Sequence, residues 1–215
     1  MEKNRLTARQ LRYLKVKRGI DFVISLLAIV ILSPLLLVIC VAIKLDSKGP
    51  VLFCQKRVGI HRHLFTIYKF RTMRTDTPKD MPTHMLGNPD AFLTRTGKFL
   101  RKTSLDELSQ LFNIVKGDMS IVGPRPALWN QDDLVAERER YGANDVLPGL
   151  TGWAQINGRD ELEIPVKAKL DGDYIKNMSF LFDLKCFFGT FGAVAKADGV
   201  VEGGTGSMHK NKENR

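Results

Sequence analysis

The chain has only three cysteines, Cys40, Cys54 and Cys186, with no CxxC pair and no histidine at metal-ligand spacing from any of them. This argues against a disulfide framework or a structural zinc site and leaves the cysteines as small hydrophobes of a reducing compartment. There is no internal repeat and no Walker or dinucleotide glycine pattern, so the common phosphate-binding signatures do not apply. With 18 Gly and 9 Pro in 215 residues, the chain is too poor in both to be low-complexity or collagen-like. Hydrophobic residues make up 44%, too many for intrinsic disorder and enough for one sizeable domain with an appendage.

What the sequence does have is positive charge, unevenly placed. The formal net charge is +10. Residues 1–74 hold 15 basic and 3 acidic side chains, a net of +12, and the remaining 141 hold 18 and 20, a net of −2. The basic third surrounds residues 22–43, FVISLLAIVILSPLLLVICVAI, which carry no charge over 22 positions. As a straight helix this segment is ~33 Å long at 1.5 Å per residue, enough to cross a bilayer core. A cleaved signal peptide fits poorly, because the apolar run is long and is followed by Lys44-Leu45-Asp46 rather than a small-residue cleavage site. A spanning helix usually has its Lys/Arg excess on one side, whereas here both flanks are basic. Ser33-Pro34 sits in the middle, where proline removes a backbone donor and favours a kink. A kinked, re-entrant helix that enters and leaves by one face accounts for both features, with the Ser33 hydroxyl as candidate partner for a freed carbonyl. An ordinary single span with a tolerated proline is the alternative.

Residues 50–73 read as a β-hairpin around Gly59, with His61-Arg62-His63 as a solvated basic turn rather than a metal site. Residues 75–89 read as a mobile loop. Helical patterns follow at 92–102, 105–115, 130–141 and 163–177. Residues 180–195 are apolar but too short and too charged to span, so they read as a core helix or as an interfacial one. Residues 198–215 read as a disordered tail.

Candidate chemistry centres on Lys102-Thr103-Ser104-Leu105-Asp106-Glu107-Leu108. Ser104 and Glu107 are spaced as a capping box, and Leu108, Leu111, Phe112 and Val115 form an apolar helix face. Arg95, Lys98, Arg101 and Lys102 immediately precede the two carboxylates, and cations beside a helix start suit phosphate. A carboxylate in that field stays ionised, can share a diphosphate with magnesium, and can attack phosphorus. Gly123-Pro124-Arg125-Pro126 fixes an arginine in a rigid turn, aimed at an anion or a base or merely bordering the turn. Residues 148–159, PGLTGWAQINGR, are a reasonable phosphate cradle.

These stretches, with Lys17-Arg18-Gly19-Ile20-Asp21, Tyr68-Lys69-Phe70-Arg71-Thr72-Met73 and Lys116-Gly117-Asp118-Met119-Ser120, appear in an order that resembles the bacterial sugar transferase family. These are small monotopic polyprenyl-phosphate phosphoglycosyltransferases, which start capsule, exopolysaccharide or glycoconjugate assembly. The match covers about residues 15–185. The resemblance implies an α/β fold, mainly helical with a small β-hairpin, built as an N-terminal re-entrant membrane helix and a cytosolic catalytic domain with interfacial helices. The expected divisions are residues 1–45, 46–197 and a disordered 198–215. It implies transfer of a sugar 1-phosphate from a UDP-sugar donor to undecaprenyl phosphate at the bacterial inner membrane, with Mg2+ or Mn2+ and release of UMP. Asp106 would be the nucleophile that forms an aspartyl phosphosugar, and Glu107 would assist it; both would serve as metal ligands. Arg101, Arg159 and Lys69 would bind phosphates, with Arg71 turned the same way, and Arg125 would contact the nucleotide. Ser33 and Pro34 would break the membrane helix, while Lys17, Arg18 and Asp21 would pin its base at phospholipid headgroups. A second copy of the chain is a further expected partner.

Two departures stand out. Leu147 occupies a position where many relatives are basic, so one phosphate contact is missing or comes from elsewhere, and residues 160–166, DELEIPV, differ from the common aromatic-containing form. Competing readings are a non-catalytic membrane-tethered adaptor and, within the enzyme class, direct attack of the lipid phosphate in a ternary complex. Nucleic acid is not expected as a partner, because the basic residues flank the apolar segment and no nucleic-acid signature is present.

Overall fold

The structure is a computed structural model that describes residues 6–77, 89–158 and 162–195. Most of the proposed 75–89 loop, Arg159, part of 160–166 and the 198–215 tail lie outside the described residues. The first element is α1, Ala8–Asp46, 39 residues and about 58 Å at 1.5 Å per residue. Thr7 starts it with a complete capping box: its hydroxyl accepts from Gln10 N and the Gln10 side chain accepts from Thr7 N. The helix continues through Ser33-Pro34 as a single element. Proline at 34 leaves the Val30 carbonyl without its i+4 donor, and the Ser33 hydroxyl donates to that carbonyl at 2.8 Å. This is the local satisfaction that the sequence called for.

One stripe of α1 faces the rest of the protein at helical spacing on both sides of Pro34. Lys17, Asp21 and Ser25 are buried in the first half and Leu36, Ile39 and Ile43 in the second. The opposite face carries exposed Val23, Leu27, Val30, Ile31, Leu37 and Val38. Ala28, Ile29 and Leu32 pack on Ile67, Leu111, Ile114 and Met119, while Leu36, Ile39 and Ile43 join Phe70 and Leu100. Tyr13 and Leu14 lie against a third cluster that includes Tyr174, Ile175 and Cys186.

The polar part of the stripe corrects one expectation. Lys17 and Asp21 do not face headgroups: they are 6% and 3% exposed, and Lys17 Nζ lies 2.7 Å from Asp183 and 3.3 Å from Asp21. The Tyr13 and Tyr174 hydroxyls donate to Asp183 at 2.7 and 2.9 Å, and the Ser120 hydroxyl donates to Asp21 at 2.6 Å. Burial and then the Asp183 carboxylate push both phenols above their ordinary pKa, so both remain donors. Arg18 donates to the carbonyls of Ile114 and Val115. A buried ammonium is tolerated only with such partners, which explains why these charges point inward.

Strands β1 (Leu52–Val58) and β2 (Leu64–Phe70) form the expected antiparallel hairpin, with Leu52 opposite Phe70 and Val58 opposite Leu64. His61 and Arg62 make its turn at φ 51° and 64°. Helix α2 (Arg95–Thr103) starts at Thr94, whose hydroxyl accepts from Gly97 N. Asp46, at the end of α1, accepts from Thr96 N at 2.8 Å and ties the two helices together. Burial raises the Asp46 carboxyl, but the bonds from Thr94 and Thr96 outweigh it and hold the pKa below the usual range.

The proposed 105–115 helix divides. Leu105–Gln110 is a 3-10 helix and only α3, Leu111–Lys116, is α-helical. The tighter turn shifts the phase, so Phe112 is 45% exposed while Asn113 is fully buried, against the apolar face expected. Two three-residue strands, β3 (Ser120–Val122) and β4 (Gly149–Thr151), pair in parallel. Helices α4 (Asp132–Glu139), α5 (Trp153–Ile156), α6 (Ile164–Asn177) and α7 (Phe180–Ala195) complete the described chain. A buried ion pair, Arg138 Nη2 to Asp171 at 2.6 Å, joins α4 to α6. Helix α7 has a buried face, which fits the expected core role, and an exposed apolar one. Asp183 and Cys186 are buried, the latter thiol pushed by burial up to about 12, while Phe180, Leu181, Phe188 and Phe191 are more than half exposed.

Asp183→Asn would leave the buried Lys17 with one weakened partner. Because Asp21 still faces Lys17 at 3.3 Å, the loss should be about 1.5–3 kcal/mol, that of charge-assisted bonds, read as a lower thermal midpoint of the solubilised full chain. An unchanged midpoint would contradict this view of the network.

Candidate active site

Asp106 and Glu107 lie on the 3-10 helix that follows α2. Ser104, which links the two, adopts a left-handed backbone with φ 55° and makes no side-chain cap bond. The capping box proposed for Ser104 and Glu107 is therefore absent, and neither carboxylate is spent on a helix end through it. A non-glycine residue held at positive φ stores strain of order 1 kcal/mol or more, which surrounding contacts must offset. Here the contacts come from β2. The Ser109 hydroxyl donates to Tyr68 O, Tyr68 N donates to Asn113 Oδ1 at 2.9 Å, and Asn113 Nδ2 donates to Thr66 O at 2.7 Å. The buried Asn113 amide thus docks the acidic turn on the strand that carries Lys69.

Glu107 is the centre of the resulting arrangement. Its Oε1 accepts from Lys69 Nζ at 3.2 Å and from Arg125 Nη2 at 2.8 Å, and its Oε2 accepts from Arg125 Nη1 at 3.4 Å. Arg125 is presented by the proline-flanked turn, which the parallel β3–β4 pair holds in place. Gly149 N donates to Pro124 O at 2.8 Å and Gly123 N donates to Thr151 O at 2.9 Å. The two motifs meet backbone to backbone at Gly123 and Gly152. A Cβ on Gly152 would fall 2.1 Å from Gly123 O, so only glycine fits there.

A cavity of about 460 Å³ opens beside this cluster. Its polar lining includes Arg101, Ser104, Asp106, Glu107, Arg125 and Gln155, and its apolar lining includes Ile121, Leu150, Phe187, Phe191 and Val194. Asp106 is 5% exposed. The structure therefore brings together four of the residues singled out in the sequence, Arg101, Asp106, Glu107 and Arg125, with Lys69 joined to them through Glu107. It does not bring Arg71. Strand β2 ends at Phe70, the pleat does not continue, and the Arg71 guanidinium donates instead to Lys48 O at 2.8 Å and Ser47 O at 2.9 Å beyond the end of α1. Arg159 lies outside the described residues. Sequence reasoning missed Asn113 and Ser109 as positioning groups and Gln155 and α7 as cavity walls. The Gly152-to-Gln155 stretch carried a signal in its glycine and amide; Asn113 carried none.

The donor set suits a hard divalent ion. Among the described residues no group of three or more His, Cys, Asp or Glu converges, so no closed protein cage is formed. Two adjacent carboxylates in a cavity with arginines fit Mg2+, which is commonly held by one or two carboxylates and completed by substrate phosphates.

The bacterial sugar transferase family model matches residues 12–197. The chain is 42% identical over 182 residues to an undecaprenyl-phosphate glucose phosphotransferase of Komagataeibacter xylinus, covering 80% of this chain and 34% of that protein. It is 40% identical over 188 residues to the uncharacterized sugar transferase EpsL of Bacillus subtilis, covering 87% and 91%. To an undecaprenyl-phosphate galactose phosphotransferase of Salmonella typhimurium it is 36% identical over 217 residues, covering 92% and 44%. The chain thus spans about a third of the first of these relatives and most of the second.

Gly152→Ala should lower the thermal midpoint by several degrees and release Arg125 from Glu107, because the new methyl group meets carbonyl oxygen rather than a flexible side chain. A variant with wild-type stability would refute the close approach of the two turns.

Proposed function

The chain belongs to the bacterial sugar transferase family, and on that premise we propose that it transfers a sugar 1-phosphate from a UDP-sugar to undecaprenyl phosphate. The observation that carries the reading is Glu107, whose carboxylate takes both Lys69 and Arg125 while Asp106 lines the same cavity. Two neighbouring carboxylates with different surroundings suit different roles. Asp106 attacks the β-phosphorus of the donor, the bond from that phosphorus to the bridging oxygen breaks, and UMP leaves with the electron pair. A phosphate oxygen of undecaprenyl phosphate then attacks the same phosphorus, giving the polyprenyl diphosphate sugar and restoring Asp106. Arg101 and Arg125 neutralise charge that develops on the phosphate oxygens, and Lys69 holds Glu107 so that Arg125 faces the cavity. Asp106, with Glu107, would hold Mg2+ or Mn2+, which when bound supplies Lewis-acid neutralisation of the diphosphate.

The covalent step separates a soluble donor from a lipid acceptor in time, so one cavity serves both. For placement, the two basic flanks and a stripe of α1 buried on both sides of Pro34 favour a re-entrant helix with the catalytic domain on the cytoplasmic face. At ~1 kcal/mol per basic residue near an anionic surface, the flanks add to that attachment.

Asp106→Asn should lower turnover at least 10³-fold with an unchanged thermal midpoint, and wild-type protein given β-phosphate-labelled UDP-sugar should retain label. An active Asp106→Asn variant and no retained label would rule the covalent route out. In a background without Cys54, cysteines placed at Arg9 and Lys48 should be labelled from the same side of sealed vesicles; opposite accessibility would show a single span.

A further inference from the structure

Among the described residues lining the cavity, Gln155 stands apart. Its Nε2 and Oε1 are both buried and neither has a hydrogen-bond partner, although the residue is only 8% exposed. Buried amides in folded proteins are nearly always paired, so an orphaned one in a cavity wall calls for a partner that arrives from outside. Its neighbours do not supply one. The Thr151 hydroxyl is engaged with Thr190 at 2.5 Å, and the Thr190 hydroxyl also donates to Cys186 O. The side chain folds back over Gly152, with Oε1 2.8 Å from where a Cβ would stand, and so lies beside the Gly123 turn that carries Arg125.

The chemistry of the amide narrows its ligand. A carboxamide offers a donor and an acceptor side by side, which suits a neutral group that does the same. It suits phosphate poorly, since Oε1 would face anionic oxygen, and the cavity already has Arg101 and Arg125 for that charge. We propose that Gln155 is a specificity contact for the donor, pairing with an uncharged donor–acceptor group on the nucleotide sugar. Two parts of such a donor carry that chemistry, the imide of the base and the hydroxyls of the sugar. The inference rests on the reading of the donor given under Proposed function.

The test uses the solubilised full chain, wild type and Gln155→Leu, titrated with UDP, UDP-glucose, UDP-galactose and inorganic pyrophosphate, with steady-state kinetics on the sugar accepted by the wild type. Leucine fills a similar volume and removes the orphaned amide, so the thermal midpoint should hold or rise. Donor KM should increase about 10-fold or more with kcat little changed, and pyrophosphate affinity should stay at the wild-type value. Loss of UDP affinity assigns the contact to the base; intact UDP affinity with weakened UDP-sugar binding assigns it to the sugar. The inference is overturned if Gln155→Leu binds every ligand as the wild type does, or if the midpoint falls and pyrophosphate weakens in parallel, which marks a structural residue. A wild-type protein that binds no uridine nucleotide overturns the donor assignment itself, a result distinct from either.

Discussion

The carboxylate of Glu107 sets the geometry of the site. Lys69 reaches it from a strand with its side chain 6% exposed, and Arg125 reaches it from a proline-flanked turn through two guanidinium nitrogens. An ammonium buried to that extent without a counter-ion would be strongly destabilising, so the strand, the acidic turn and the arginine turn are held in one arrangement by a shared charge. The strained backbone at Ser104 follows from the same demand. The chain must leave α2 sharply enough to place Asp106 and Glu107 against β2, and the Asn113 and Ser109 bonds to that strand hold it there. Reaction of a phosphoryl group asks for little beyond position and neutralised charge, and a rigid ionic cluster beside a cavity provides both.

The second constraint is the double duty of α1. One stripe is a structural spine that contacts three separate parts of the core, first through Lys17, Asp21 and their tyrosine and serine partners, then through Leu36, Ile39 and Ile43. The other face is apolar and exposed. A helix with no apolar asymmetry in its sequence therefore has a strong structural asymmetry, because its inward face is set by buried charge in one half and by close packing in the other. The Ser33 hydroxyl on the Val30 carbonyl shows how the proline is accommodated without an unsatisfied group at the most apolar point of the chain. Through Asp46 and Thr96 the same helix reaches α2, which carries Arg101.

Much of this was legible in the sequence where local rules dominate. The hairpin turn at 59–63, a helix over most of 92–102 and the long apolar helix follow from turn chemistry, periodicity and the uncharged run at 22–43. The meeting of Arg101, Asp106, Glu107 and Arg125 was legible from motifs. Features decided by distant partners were not. Nothing local distinguishes an α-helical from a 3-10 reading of 105–110, so the phase of the apolar face was misjudged and Asn113 went unnoticed. Strands of three residues leave no periodic trace, so the β3–β4 pair was invisible although it holds the arginine turn. Lys17 and Asp21 read as surface charges until Asp183, more than 160 residues away, is brought beside them. Nothing local to Arg71 shows that its guanidinium is taken by the Ser47 and Lys48 carbonyls beyond the end of α1.

The claim on which the mechanism stands is that Asp106 becomes covalently attached before any lipid takes part. Isotope exchange between labelled UMP and unlabelled UDP-sugar, followed in the complete absence of undecaprenyl phosphate, tests it most directly. A two-step route through Asp106 predicts label appearing in UDP-sugar at a rate comparable to turnover. If exchange is absent from protein that turns over normally once the lipid is added, the donor and acceptor react together and the covalent account is wrong.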